Sequence, residues 1–149
     1  MKHEKSRIRE IATTFIRHGI KDGFRKRDPA GELRAALEEL GPTFVKLGQI
    51  LATRPDLLPD SFIRELAKLQ DNVQPEPFSQ IREVIEGELG GSLGELFSQF
   101  EKEPLAAASI AQIHRATLPG GEQVVVKVQR PGIRETMQRD LMLLKRLVR

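Results

Sequence analysis

The sequence has no cysteine, no tryptophan and no tyrosine, and only three histidines. Without cysteine there is no disulfide framework, thiolate metal site or thiol nucleophile, which agrees with a cytoplasmic setting. His3, His18 and His114 are too scattered to suggest a zinc site. The missing tyrosines and tryptophans remove the usual platforms for stacking nucleic-acid bases, and the seven phenylalanines fall mostly at helical core spacings. Long apolar runs are absent too. The stretch free of charge and histidine around the alanine-rich segment runs only from Pro104 to Ile113, well short of the ~20 residues of a membrane-spanning helix. Met1 to Glu10 alternates charges where a signal peptide would be apolar, so export is not indicated.

What is present is ordinary globular composition, 39% hydrophobic and 30% charged over 149 residues, enough for a core of domain size. The net charge of +3 is unevenly spread, with nine Lys/Arg against three acids in residues 1–27 and 15 against 18 in the remainder. A wholly basic nucleic-acid-binding domain is therefore not expected. A local basic arm around Arg25-Lys26-Arg27, able to meet an anionic membrane surface or another protein, is.

Apolar spacing predicts an amphipathic helix from Lys5 to Ile20, a helix from Glu32 to Leu40, and another from Thr43 to Thr53 with Pro42 in its first turn. A helix capped by Asp60 runs to Gln70, and one opened by Pro77 is stopped by Gly90-Gly91. Ser92 caps a short turn. The character then changes. Ala111–Leu118 and Glu122–Gln129, joined by Pro119-Gly120-Gly121, read as a hairpin. Its second strand, with Val124-Val125-Val126, is apolar on both faces and is expected to be buried on both. Pro131-Gly132 starts a last helix with Ile133, Met137, Leu141, Leu144 and Val148 on its inner side. The expected fold class is α+β, organised as a basic helix and connector (1–30), a helical extension (31–100) and a partial sheet domain (101–149).

Two constellations carry chemistry. A kinase nucleotide lobe has a G-x-G-x-x-G-x-V loop between its first two strands and a phosphate-binding lysine at the end of V-A-I-K on the third. Here Ala106, Ala108 and Ala111 stand in the glycine places, Ile113 in the valine place, and Lys127 follows one hairpin later. A methyl at each glycine place implies a stiffer phosphate cradle, to which Ser109 adds a hydroxyl. The second constellation is Lys46-Leu47-Gly48-Gln49, where Lys46 and Gln49 share one helix face and Gly48 admits a close neighbour. Taken singly, each has a plain alternative: tight packing at a strand entry, a strand-end lysine, or a solvated helix face.

Together, in this order, they resemble the UbiB family of atypical kinase-like proteins. The resemblance rests on Leu40-Gly-Pro-Thr-Phe-Val-Lys-Leu-Gly-Gln49 and its continuation to Pro59, Leu69-Gln-Asp71, Ala106-Ala-Ala-Ser-Ile-Ala-Gln-Ile-His114 and Val125-Val-Lys-Val-Gln-Arg-Pro-Gly132. It implies a kinase-like nucleotide lobe preceded by helices that bring Lys46 and Gln49 to face the site. Ala106, Ala107, Ala108 and Ser109 would form the loop over the phosphates, and Lys127 would bind them. It also implies ATP or ADP with Mg²⁺ as cofactor in the full-length protein, weak or absent in this piece. The setting it implies is quinone or related isoprenoid lipid metabolism, in the cytoplasm or peripheral to the inner face of the membrane, with quinone-biosynthesis proteins as partners.

The catalytic-loop aspartate, the second-metal asparagine and the D-F-G-type aspartate of such a site are not in this sequence, so the chain is expected to be an N-terminal piece lacking the second lobe. The competing expectation is a non-catalytic, membrane-peripheral or partner-binding helical module. Glu135 and Asp140 are the acids following Lys127; both read as solvated helix-face residues, with a helix-to-helix contact open for Asp140 because it interrupts an apolar stripe.

Overall fold

The computed structural model describes residues 2–19, 28–69 and 73–148. These form α1 (Lys2–Arg17), α2 (Pro29–Leu40), α3 (Pro42–Leu51), α4 (Asp60–Leu66), α5 (Phe78–Leu89), α6 (Leu93–Leu96), β1 (Gln99–Phe100), β2 (Ala106–Ala107), β3 (Ala111–Thr117), β4 (Gln123–Gln129) and α7 (Ile133–Leu147). The α+β class expected from sequence is the class observed. Two compact units result, residues 1–70 with 136–149, and residues 71–135.

The first unit is helical. Asp28 caps α2 by accepting the Gly31 N–H at 2.9 Å, and Pro29 and Pro42 occupy first-turn positions where a missing N–H costs nothing. Asp60 is the first helical residue of α4 with Pro59 as its N-cap, and α4 ends at Leu66, short of the expected span. The core joins Ile11 of α1, Leu37 and Leu40 of α2, Phe44 and Val45 of α3, and Leu66 and Leu69, with Phe15 set edge-on to Phe44 at 6.4 Å. Ile11 and Phe15 of the expected α1 stripe are thus used within this unit, whereas Ile16 is 53% exposed. Ile20 and the basic run 25–27 lie outside the described residues.

In α7 the structure corrects the expected inner side. Leu141 and Val148 are exposed, while Asp140 (1%) and Leu143 (1%) are buried. The reason is a charge pair: Arg7 of α1 donates from Nε and Nη2 to the two carboxylate oxygens of Asp140, each at 2.9 Å, and Nη2 also reaches the Leu40 carbonyl at 2.7 Å. Asp140 is a helix-to-helix contact. It turns the stripe so that Leu143 packs inward in place of Leu141.

His18, just after α1, places Nδ1 2.7 Å from Glu32 and Nε2 3.0 Å from Glu39, and Arg17 also reaches Glu39 at 2.7 Å. Two carboxylates, Glu39 foremost, raise the His18 pKa above its ordinary 6.5. A raised folded-state value means that the native state holds the proton more tightly than the unfolded chain. The stabilisation is complete below about pH 6.5 and is lost as pH rises through the raised value. The urea midpoint is expected to fall between mildly acidic and mildly alkaline pH, and His18→Gln to flatten that slope; an equal slope in the variant would refute the assignment.

The second unit is a small antiparallel sheet with α5 on one face. β3 is the hub, pairing with β1, β2 and β4. Ile81 and Ile85 of α5, Phe97, Ala116 and Val128 form its core, with Val124 and Val126 packed against it. Gly90 ends α5 in the left-handed conformation at φ 72°, and Ser92 with Glu95 makes a capping box on α6. The expectation that β4 is buried on both faces is overturned. Val124, Val126 and Val128 face α5, but Val125 on the opposite face is 66% exposed and Lys127 is exposed beside it. An all-valine run cannot signal which face has a cover, because alternation is visible only when the two faces differ in polarity.

Candidate functional site

The alanine-rich segment forms the β2–β3 hairpin, and its tip is a tight turn closed by Ala108 N–H donating to the Ala111 carbonyl at 2.8 Å. Strand register then fixes the face. Ala106 pairs with Ile113, and Ile113 with Lys127, so the three stand in one row across β2, β3 and β4. Directly opposed residues point to the same side of a sheet, and two strand spacings separate the outer members by about 10 Å. The next row on that side sets Arg115 beside Val125. The opposite side carries Ala107, Gln112 and Val128, all buried.

Ala106, Ile113 and Lys127 are therefore brought together on the uncovered face, and Lys127 has no ion-pair partner among the described residues. An open groove of about 410 Å³ continues along this face past Arg115, Thr117, Gln123 and Val125. Ser109 is 2% exposed, so in the closed turn its hydroxyl faces inward and would reach a phosphate only if the turn opened. Lys46 and Gln49 lie in the helical unit, both half-buried on α3, with Gln49 donating a long 3.4 Å bond to the Leu69 carbonyl. Gly48 between them is buried, and a side chain there would strike the terminal carbons of Leu69 and Leu37, so the close neighbours it admits are leucine side chains.

Beneath the sheet lies a polar chain to which sequence reasoning gave no role. His114, fully buried, sits 2.8 Å by Nδ1 from the Glu101 carbonyl and 2.9 Å by Nε2 from the Gln112 amide nitrogen, while Gln112 Oε1 accepts the Glu76 N–H at 2.9 Å. The Glu76 N–H can only donate, so it fixes the amide orientation, and the carbonyl of Glu101 fixes the Nδ1–H tautomer. The sequence does carry a signal: Gln112 and His114 alternate with Ile113 at strand period, polar residues at the inward positions. Among the described residues no group of three or more His, Cys, Asp or Glu could hold a metal ion.

This hairpin-and-lysine geometry coincides with a family match. The sequence profile of the ABC1 atypical kinase-like domain matches residues 68–149. The chain belongs to that family. A probable protein kinase UbiB of Marinobacter nauticus is 57% identical over 75% of this chain and 20% of its own length. An uncharacterized protein in the hydrogenase 1 5′ region of Clostridium pasteurianum is 47% identical over 95% of this chain and 28% of its own. The ACTIVITY OF BC1 COMPLEX KINASE 7 protein of Arabidopsis thaliana chloroplasts is 49% identical over 81% and 17%. The chain thus spans between 17% and 28% of the length of these relatives. Among the described residues no helix is long and apolar enough to cross a membrane.

Proposed function

We propose that this chain supplies the nucleotide-binding sheet of an ABC1-type atypical kinase-like protein and takes ATP or ADP on the uncovered face of β3 and β4. The observation that carries this reading is the row Ala106, Ile113, Lys127, one lysine and one β-branched side chain beside the hairpin tip. The Lys127 ammonium would bind the α/β-phosphates, the turn from Ala106 to Ser109 would lie over them, and Ile113 with Val125 would offer an apolar rack to the base. Val125 is two residues from Lys127 on the same strand side, about 7 Å away, a spacing that suits a base and its first phosphates.

The described residues offer no acid cluster for magnesium, so no step is assigned to the metal. Lys46 and Gln49 are proposed to act on the same nucleotide-dependent process, and the pathway served is proposed to be ubiquinone or related isoprenoid lipid metabolism. Contact with an anionic membrane surface would use the charged outer side of α1, since Ile11 and Phe15 are taken by the core.

Melting curves with MgATP and MgADP test the reading. A ligand at 100 times its dissociation constant stabilises the fold by about 2.7 kcal/mol. The expected result is a nucleotide-dependent rise that disappears in Lys127→Ala; no rise in a folded sample, or a rise indifferent to Lys127→Ala, would overturn it.

A further inference from the structure

Alanines cannot hold the hairpin tip in place through their side chains, since a methyl makes no hydrogen bond. What fixes the tip is found on its neighbours. Arg130, three residues after Lys127, touches the tip twice: its backbone N–H donates to the Ile110 carbonyl at 2.9 Å, and its Nη1 lies 3.5 Å from the Ala108 carbonyl. The guanidinium is itself clamped. Nη1 donates to the Gln74 carbonyl at 3.1 Å and Nη2 to Glu76 Oε1 at 2.6 Å, with the Arg130 and Glu76 side chains 18% and 25% exposed. The segment carrying these partners is tied to the hairpin at both ends, by Val73 N–H to the Ala107 carbonyl at 3.2 Å and by Glu76 N–H to Gln112.

We infer that Arg130 is a positioning residue for nucleotide binding: with Glu76 it sets the alanine tip at a fixed distance and angle from Lys127. This rests on the nucleotide reading above and adds to it a group that never touches the ligand. One end of β4 presents the lysine and, three residues on, the same strand's continuation grips the loop that faces it. A guanidinium does this where a lysine would not, because its two terminal nitrogens address a carboxylate and backbone carbonyls simultaneously. The glycine loops of ordinary kinases can move over the phosphates; a loop of alanines, short of backbone freedom, gains from being placed correctly in advance.

The test uses the full 149-residue chain, wild type and the variants Arg130→Ala, Arg130→Lys and Glu76→Gln. Three readouts are needed: MgATP and MgADP affinity by calorimetry, the urea midpoint, and amide hydrogen exchange at Ala108 without ligand. Arg130→Ala is expected to weaken MgATP binding at least tenfold under conditions where the variant is fully folded, and to speed exchange at Ala108. Arg130→Lys should not restore affinity, and Glu76→Gln should weaken binding less than Arg130→Ala. Unchanged affinity in folded Arg130→Ala, beside a wild type that binds, would overturn the positioning role and leave the nucleotide reading standing. Unchanged exchange at Ala108 would overturn it independently of any ligand. A folded wild type that binds neither nucleotide would remove the nucleotide reading itself, and the role of Arg130 in binding with it.

Discussion

Replacing Arg7 by alanine is expected to lower the stability of the helical unit by about 3–5 kcal/mol, the cost of leaving a buried charge without its partner. Asp140 is 1% exposed and its two oxygens are held by one guanidinium. Without Arg7 the carboxylate must stay buried alone, take up a proton or drag α7 outward. The reverse change should cost less, about 2–3 kcal/mol, because Arg7 would keep the Leu40 carbonyl, Glu10 at 3.0 Å and the face of Phe44 at 5.7 Å. The order of the two variants therefore tests the geometry as well as the pair. Arg7→Met combined with Asp140→Leu should recover most of the loss, since a buried ion pair replaced by apolar groups of similar volume is often neutral or better. Urea midpoints at neutral pH decide it; a cost below about 1 kcal/mol for Arg7→Ala would mean the pair behaves as an exposed one.

In the sheet unit the largest loss is expected from His114→Ala, again about 3–5 kcal/mol. The ring is fully buried, stacks on Phe100 at 5.2 Å between centroids, and connects the Glu101 carbonyl to Gln112. Truncation leaves a cavity of nearly ring size, and it also leaves the buried Gln112 amide and the Glu101 carbonyl without their partner. His114→Phe keeps the volume and the stacking but not the two hydrogen bonds, so it should cost about 2 kcal/mol, the unpaired polar groups alone. A cost near zero for His114→Phe beside a full loss for His114→Ala would show that the polar chain contributes nothing and the ring acts only as filler.

The helices were legible because their stripes repeat at helical spacing and their ends carry proline, serine or glycine, as at Pro42, Ser92 and Gly90. The hairpin was equally plain from Pro119-Gly120-Gly121 and the β-branched runs on either side. Less visible was whatever depends on a distant partner. The sidedness of β4 is decided by α5, some forty residues earlier, and the inner face of α7 by Arg7 at the other end of the chain. The two-residue strands β1 and β2 are too short for any periodicity to reveal. At the site, Lys127 and the alanines were read from their spacing, and register then put Ala106, Ile113 and Lys127 in one row. The inward turn of Ser109 was not legible, since a hydroxyl in a loop gives no hint of its direction. Nor was the clamp of Arg130 on Glu76, because 54 residues separate the two and neither stands in a pattern.

The most direct test of the nucleotide account follows methyl resonances during titration with MgATP. Ile113 and Val125 stand on the uncovered face of the sheet, and Val124, Val126 and Val128 on the face packed with α5, all within the same two strands. The account predicts saturable shifts at Ile113 and Val125 that Lys127→Ala abolishes, with the three α5-facing valines nearly still. Shifts confined to Val124, Val126 and Val128, or none at any of the five, would contradict it.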